Sequence, residues 1–100
     1  MILGVLQARM SSTRLPGKVL RPLAGQPMVL RQIERLRRAH RLDELVVATS
    51  SEASDDPLVA ALHAAGVKVF RGSLDNVLDR FIGALDAFPA DHVVRLTADC

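Results

Sequence analysis

Short runs rich in Val, Leu and Ile alternate along this chain with longer segments in which apolar residues recur every three or four positions. The short runs are typical of buried strands, and the three-to-four spacing is typical of helices that bury one face. The predicted strands are 2–6, 45–48, 67–70 and 93–96, and the predicted helices are 27–39, 56–65 and 74–88.

Proline, glycine and acidic residues mark the ends of the predicted helices. Pro27 and Pro57 each suit a first helical turn, where a missing N–H costs nothing. Gly66 suits the end of the second helix, because glycine tolerates the left-handed backbone that often ends helices. The capping side chains that we expect are Asp55 or Asp56 for the second helix and Ser73 or Asp75 for the third.

The third predicted helix carries the longest apolar stripe of the chain. Residues three and four apart lie on one face of a helix, so this stripe is expected to pack against the sheet. Its members are Val77, Leu78, Phe81, Ile82, Leu85 and Phe88.

The order of these elements, a strand followed by a helix three times and then a fourth strand, predicts the fold class. It is typical of a parallel sheet with helices on its faces. Right-handed crossovers then give a three-layer, Rossmann-like α/β fold with a mainly parallel sheet. The sequence contains no repeat, low-complexity tract or linker, so residues 1–100 are interpreted as one domain.

Composition limits where such a protein acts. Hydrophobic residues make up 49% of the chain, but only three residues are aromatic, so the core must be aliphatic. Cys100 is the single cysteine and cannot form an internal disulfide. The sequence has neither a signal peptide pattern nor an apolar run of about 18–20 residues, so we expect a cytoplasmic protein without a membrane partner.

Positive charge is concentrated near the N-terminus. Residues 1–41 contain nine Lys or Arg and one acidic residue, whereas residues 42–100 contain four Lys or Arg and ten acidic residues. Such a basic segment suggests an anionic ligand or a nucleic-acid face.

The segment after the first predicted strand, 7–18, reads QARMSSTRLPGK and begins a loop too long to be a mere connection. Gly17-Lys18 suggests a Walker A motif, but Ser12 and Val19 stand where that motif requires Gly and Ser or Thr. A loop stiffened by Pro16 that presents three cations and three hydroxyls suits a polyphosphate, and the alternative is a solvated surface loop. The side chains concerned are Arg9, Arg14, Lys18, Ser11, Ser12 and Thr13.

A second candidate site follows the fourth predicted strand. Asp99 comes two residues after Thr97, at the strand end where open α/β sheets bind ligands. A lone Asp opposite a cationic loop could bind a hard cation, and the alternative is a capping Asp for a following helix. The fourth strand would also be an exposed edge, which another copy in a homodimer or the rest of a larger domain could cover.

Other charged residues have simpler interpretations. Arg31, Arg35 and Arg38 form a basic stripe on the first helix, which is most often a solvated face. Asp75 and Asp79 share a helix face and are interpreted mainly as capping and solvated residues, with metal or sugar contact as the alternative. The three histidines have no metal-ligand spacing, and neither they nor Cys100 are assigned a role.

Three segments of the chain resemble the signature of the cytidylyltransferase family, which makes CMP-activated sugar acids. The resemblance is to the SpsF-like branch, named for spore-coat polysaccharide biosynthesis and related to the CMP-Kdo and CMP-N-acylneuraminate synthetases. It implies a nucleotidyltransferase fold and a CTP-dependent enzyme. The segments are ARMSSTRLPGK at 8–18, FRGSLDNVLDR at 70–80 and RLTADC at 95–100.

The resemblance also implies residue roles. Arg9, Arg14 and Lys18 match family residues that grip the triphosphate, Arg9 and Lys18 serving in catalysis, with the Ser12 hydroxyl nearby. The Ala8 backbone matches the contact to cytosine. Arg71 matches a residue near the nucleotide, with a solvated loop arginine as the alternative. Asp99 matches the carboxylate that binds the Mg²⁺ cofactor.

Two functions remain open from the sequence. In the first, a parent enzyme transfers a cytidylyl group from CTP to a sugar or sugar-acid acceptor in polysaccharide biosynthesis, and residues 1–100 are its N-terminal nucleotide-binding part, inactive alone. In the second, a non-catalytic module uses the basic face to bind a nucleotide, nucleic acid or an acidic partner. The lack of an aromatic stacking platform beside the cations argues against nucleic acid.

Overall fold

The computed structural model describes residues 1–10, 22–23, 26–39, 41–73 and 76–97. Four longer strands and three helices alternate as the sequence predicts, and a short strand pair precedes the first helix. The elements are β1 Ile2–Gln7, β2 Pro22–Leu23, β3 Gln26–Pro27, α1 Met28–Ala39, β4 Glu44–Ser50, α2 Asp56–Ala64, β5 Lys68–Gly72, α3 Val77–Ala87 and β6 His92–Thr97.

The four longer strands form one parallel sheet in the order β5-β4-β1-β6. The chain therefore builds outward from β1 to β5 and then returns to the other side of β1 to add β6. Gln7, the last residue of β1, pairs with Ala48 and with Thr97, the last residue of β6, so β1 and β6 end level and β4 continues two residues further. In open α/β sheets the point between β1 and β6, where the strand order reverses, is the usual ligand crevice.

Alternation along the strands divides the core between the two faces of the sheet. On one face, Leu6 and Val47 pack with Val29 and Ile33 of α1 and with Leu58 and Leu62 of α2. On the other face, Leu3, Val5 and Val46 pack with α3, chiefly through Ala84, Phe81 and Leu85. The three-layer α/β arrangement predicted from the sequence is confirmed.

The end of α2 is the predicted glycine stop. Gly66 has a φ of +74°, which residues with a Cβ rarely adopt. The N–H of Gly66 donates to the carbonyl of His63 at 3.0 Å, and the N–H of Val67 donates to that of Leu62 at 2.9 Å. This pair of contacts is the Schellman motif, which satisfies carbonyls that a helix end would otherwise leave unpaired.

The start of α3 differs from the prediction. The helix begins at Val77, and its cap is Asn76, whose side chain accepts a hydrogen bond from the Asp79 N–H at 2.9 Å. Ser73 instead accepts from the N–H of Asn76 at 3.1 Å, in the turn before the helix, and Asp75 lies outside the described residues. The side chain of Asn76, directly before the apolar stripe, therefore caps α3 in place of the two residues predicted earlier in the chain.

The buried face of α3 also differs from the predicted stripe. Arg80 and Ala84 are its buried residues, whereas Leu78 and Ile82 are 64% and 49% exposed. The buried face of α3 is therefore centred nearer Arg80 and Ala84 than the predicted stripe, and Arg80 donates hydrogen bonds to Gln7 and to the Ser73 carbonyl. None of the three described helices is both long and apolar enough to cross a membrane.

Candidate functional site at the carboxyl edge of the sheet

Parallel strands bring the polar residues that follow them to a single edge of the sheet. Arg9 follows β1, Ser50 ends β4, and Arg71 lies near the end of β5. Arg80, on the first turn of α3, packs beneath the same edge. It is the only buried arginine among the described residues. We refer to this group of four residues, together with Asp55, as the carboxyl-edge cluster.

Ala8 continues the sheet one residue beyond β1. Its N–H donates to the Ala48 carbonyl at 3.1 Å, and its side chain is buried against the α1 and α2 side of the core. Because the amide is already used in the sheet, a ligand contact through the Ala8 backbone would have to use the carbonyl. A carbonyl is an acceptor, so such a contact would select a ligand that donates.

Arg9 is exposed where the chain leaves the sheet, and its positive charge is close enough to Arg80 to affect the pKa of that side chain. The pKa of Arg80 lies below the usual arginine value, first because the side chain is buried and second because Arg9 is a nearby like charge. The Asp55 carboxylate acts in the opposite direction on the same pKa. The edge therefore holds positive charge that an anionic ligand would relieve.

Arg80 contacts neutral groups rather than a carboxylate in its hydrogen bonds. Its Nε donates to Gln7 Oε1 at 2.8 Å, and its Nη1 donates to the Ser73 carbonyl at 3.1 Å. Gln7 is buried too, and its Nε2 has no hydrogen-bond partner. A buried N–H without an acceptor costs about 1–3 kcal/mol, so this end of β1 suits an oxygen acceptor.

Arg71 makes three contacts to the segment that follows β4. Its Nε donates to the Ser50 carbonyl at 2.8 Å, its Nη2 donates to the Glu52 carbonyl at 2.9 Å, and its Nη1 lies 2.9 Å from Asp56 Oδ1. A guanidinium has five N–H donors, so these contacts still leave donors for a ligand. Arg71 is nevertheless a structural residue first, and not a solvated loop arginine.

The sequence predicts Asp55 or Asp56 as the capping residue of α2, and the prediction is right for the position of Asp55 but wrong for its side chain. The residue occupies the cap position of α2, but its side chain makes no capping hydrogen bond. Its carboxylate is completely buried and accepts from Met10 and Ser50 instead. No sequence signal separates this arrangement from ordinary capping, because the partner Met10 lies 45 residues away.

Four of the sequence-predicted site residues lie outside the described residues: Ser12, Arg14, Lys18 and Asp99. The structure brings together Ala8, Arg9 and Arg71 at one edge. Sequence reasoning missed Gln7, Asp55 and Arg80. Of these three, only Arg80 lies within one of the signature segments, 70–80.

A metal site is not complete within the described part of the chain. No group of three or more His, Cys, Asp or Glu there is arranged to hold an ion. The chemistry of the predicted ligand does fit Mg²⁺, which prefers carboxylate oxygens and often uses one or two of them. In the sequence, Asp99 comes two residues after Thr97. Thr97 is the last residue of β6 and pairs with Gln7, and Arg9 comes two residues after Gln7.

The fold and the cluster define an α/β protein of the doubly wound class with three arginines at the carboxyl edge of its sheet. A family model described as cytidylyltransferase matches residues 3–100, so the chain belongs to the cytidylyltransferase family.

Two curated relatives cover nearly all of the chain. The spore coat polysaccharide biosynthesis protein SpsF of Bacillus subtilis is 45% identical over 98% of this chain and 42% of its own length. The 3-deoxy-manno-octulosonate cytidylyltransferase of Bdellovibrio bacteriovorus is 37% identical over 98% of this chain and 39% of its own length. The chain thus spans about two fifths of the length of these relatives.

Solved structures give the same result for the fold. A cytidylyltransferase from Leptospira borgpetersenii superposes with a TM-score of 0.90 at 37% identity, over 99% of this chain and 42% of that one. A CMP:2-keto-3-deoxy-manno-octonic acid synthetase complexed with CTP superposes with a TM-score of 0.80 at 30% identity, over 98% of this chain and 40% of that one. The nucleotidyltransferase fold and the SpsF and CMP-Kdo resemblance predicted from the sequence are confirmed.

Proposed function

We propose that the protein to which residues 1–100 belong transfers a cytidylyl group from CTP to a hydroxyl of a sugar or sugar acid and releases pyrophosphate. The observation that carries the proposal is the carboxyl edge with Arg9, Arg71 and Arg80, in a chain that the cytidylyltransferase family model matches over residues 3–100. The relative named for spore coat polysaccharide biosynthesis supports a role in making surface polysaccharide.

In the proposed reaction the acceptor hydroxyl attacks the α-phosphate in line with the departing pyrophosphate. A new P–O bond forms at the α-phosphorus, the bond to the pyrophosphate oxygen breaks, and the hydroxyl proton is released. Such a transfer requires orientation and charge stabilisation more than covalent chemistry from the protein. Arg9, together with Arg14 and Lys18, would stabilise the negative charge that develops on pyrophosphate, with Ser12 beside them.

Mg²⁺, held by Asp99, would neutralise phosphate charge when bound. The Ala8 carbonyl would accept from the 4-amino group of cytosine, since the Ala8 N–H is already used by Ala48. Uracil has an oxygen at the same ring position and would repel this carbonyl. Arg71 would contact the nucleotide only through the donors that its contacts to 50–56 leave over.

The test is turnover of Arg9→Ala in the parent protein with CTP, Mg²⁺ and a sugar-acid acceptor. We expect kcat/KM to fall by about 10²–10³, as it does when a single charge-stabilising donor is removed elsewhere. Arg9→Lys should retain part of the activity, because lysine keeps the positive charge but cannot make the bidentate hydrogen bonds of a guanidinium to phosphate.

Arg38→Ala is the matched control, since it removes the same charge from the exposed last turn of α1. Near-normal turnover of Arg9→Ala would exclude Arg9 from the reaction. Absence of CTP turnover in the unaltered protein, together with salt-sensitive binding to nucleic acid, would favour the non-catalytic alternative instead.

A further inference from the structure

We propose that Asp55 is a positioning residue whose buried carboxylate holds the chain where it leaves β1 and thereby keeps Arg9 in place at the carboxyl edge. This inference rests on the nucleotide-binding role proposed above for that edge. Asp55 itself need not touch the nucleotide.

The contacts of Asp55 bridge two strand ends. Its Oδ1 accepts a hydrogen bond from the Met10 N–H at 2.6 Å, one residue beyond Arg9. Its Oδ2 accepts from the Ser50 N–H at 3.3 Å and from the Ser50 hydroxyl, at the end of β4. One carboxylate thus ties the first residues of the cationic loop to the neighbouring strand.

The burial of this carboxylate indicates a role other than capping α2. A capping Asp can satisfy itself locally at the surface, whereas Asp55 is fully buried and uses partners on other elements. Burying a carboxylate is expensive unless several donors surround it. The three donors from Met10 and Ser50 meet that requirement, and they do so only if Met10 stays where it is.

The segment that carries Asp55 is itself fixed from the other side. Arg71 binds the carbonyls of Ser50 and Glu52 and the carboxylate of Asp56, so it holds 50–56 against β5. Met10 also packs against the apolar core beneath α1 and α2. A continuous set of contacts therefore runs from β5 through Asp55 to the residue next to Arg9.

A fixed loop start has a consequence for binding. A residue that is already ordered loses little conformational entropy when a ligand binds, whereas a loose one must be ordered at the expense of affinity. Removing the Asp55 carboxylate should therefore weaken nucleotide binding through Arg9.

The first experiment measures the KM for CTP and kcat/KM in the parent protein. We expect Asp55→Ala to raise the KM for CTP about tenfold or more, the order expected from losing a charge-assisted hydrogen bond. Asp55→Asn should lose less, because its remaining oxygen can still accept from Met10. Glu52→Ala is the control, since the hydrogen bonds of Glu52 to Ser50 and Arg71 are made by its backbone.

A double-mutant cycle with Arg9→Ala isolates positioning from general stability. If Asp55 acts through Arg9, Asp55→Ala adds little further loss in the Arg9→Ala background. Fully additive losses, or an unchanged KM in folded Asp55→Ala, would overturn the proposal.

A second measurement does not depend on the proposed reaction. Hydrogen exchange of the Met10 amide should be slow in the unaltered protein and at least tenfold faster in Asp55→Ala, which removes its acceptor, with Glu52→Ala unchanged. Equal protection in all three proteins would overturn the proposal even if CTP is turned over. If the unaltered protein neither binds nor turns over CTP, the proposed function fails, and the Met10 exchange still decides whether Asp55 positions this segment.

Discussion

Gly66 ends α2 with a backbone that few other residues could adopt. Its φ is +74°, and an added Cβ would meet no atom within 4 Å. Any cost of substitution here is therefore conformational and not a matter of space. The position separates backbone strain from packing more cleanly than a buried glycine could.

We expect Gly66→Ala to lower the free energy of unfolding by about 1–2 kcal/mol, the cost of a left-handed alanine. Gly66→Asn should cost less, since asparagine tolerates this region better. Urea denaturation of the three proteins measures the difference. An asparagine variant less stable than the alanine variant would contradict this explanation.

Single residues at the carboxyl edge also show the reach of the tertiary structure. The family resemblance implies a nucleotide-proximal Arg71, with a solvated arginine as the alternative, and the sequence predicts Asp55 or Asp56 as the cap of α2. In the structure, Arg71 braces the chain after β4, and Asp55 bonds to Met10. Both contacts join residues that are distant in sequence, so local patterns could not reveal them.

At the scale of elements, the close packing of α3 on β5 depends on a glycine in the helix. A Cβ on Gly83 would lie 2.6 Å from Cζ and 2.9 Å from Cε2 of Phe70. Phe70 belongs to the core between the sheet and α3, so its ring has limited room to move. The hydrophobic stripe predicts that this segment forms a helix. How closely and with which face α3 packs on the sheet also depends on Gly83, which leaves room for Phe70, and on the buried Arg80.

We expect Gly83→Ala to destabilise the protein by about 1–3 kcal/mol through overpacking, reduced by up to about 1 kcal/mol from better helix propensity. In a Phe70→Leu background the clash is relieved, so Gly83→Ala should become neutral or stabilising. Thermal or urea unfolding of the four proteins forms the cycle. The same destabilisation in both backgrounds would exclude Phe70 as the cause.

At the scale of the whole molecule, the order β5-β4-β1-β6 gathers the candidate site. Residues that follow β1, β4 and β5 meet at one edge, and β6 ends level with β1. Open α/β sheets usually bind ligands where the strand order reverses, which in this sheet is beside β1. Binding there should stabilise the molecule as a whole, because the site spans several elements.

We expect CTP with Mg²⁺ to raise the free energy of unfolding of the parent protein by about 2.7 kcal/mol at 100 times its Kd. UTP should stabilise it less, because the exocyclic O4 of uracil, which stands in place of the 4-amino group of cytosine, would face the Ala8 carbonyl. Asp99→Asn should reduce the Mg²⁺-dependent part, whereas Arg38→Ala should leave it unchanged. Equal stabilisation by CTP and UTP would contradict the proposed base contact.

The sequence by itself determined the four longer strands, the three helices, their order and the class of fold, but not the short β2–β3 pair. Local periodicity and turn residues carry that information, and the three signature segments indicated the family. The bounds of β1, β4 and α2 lie within two residues of those predicted. The start of α3 was less well determined, because Ser73, Asp75 and Asn76 are all good caps and only packing selects among them.

Only the tertiary structure decided which polar groups became buried and with whom. Arg80 is buried because Gln7 and Ser73 supply acceptors, and Asp55 is buried because Met10 and Ser50 supply donors. The physical reason is that a buried polar group is stable only with partners, and these partners lie at or just beyond the ends of different strands. The sequence specifies such residues, but the parallel sheet brings them together.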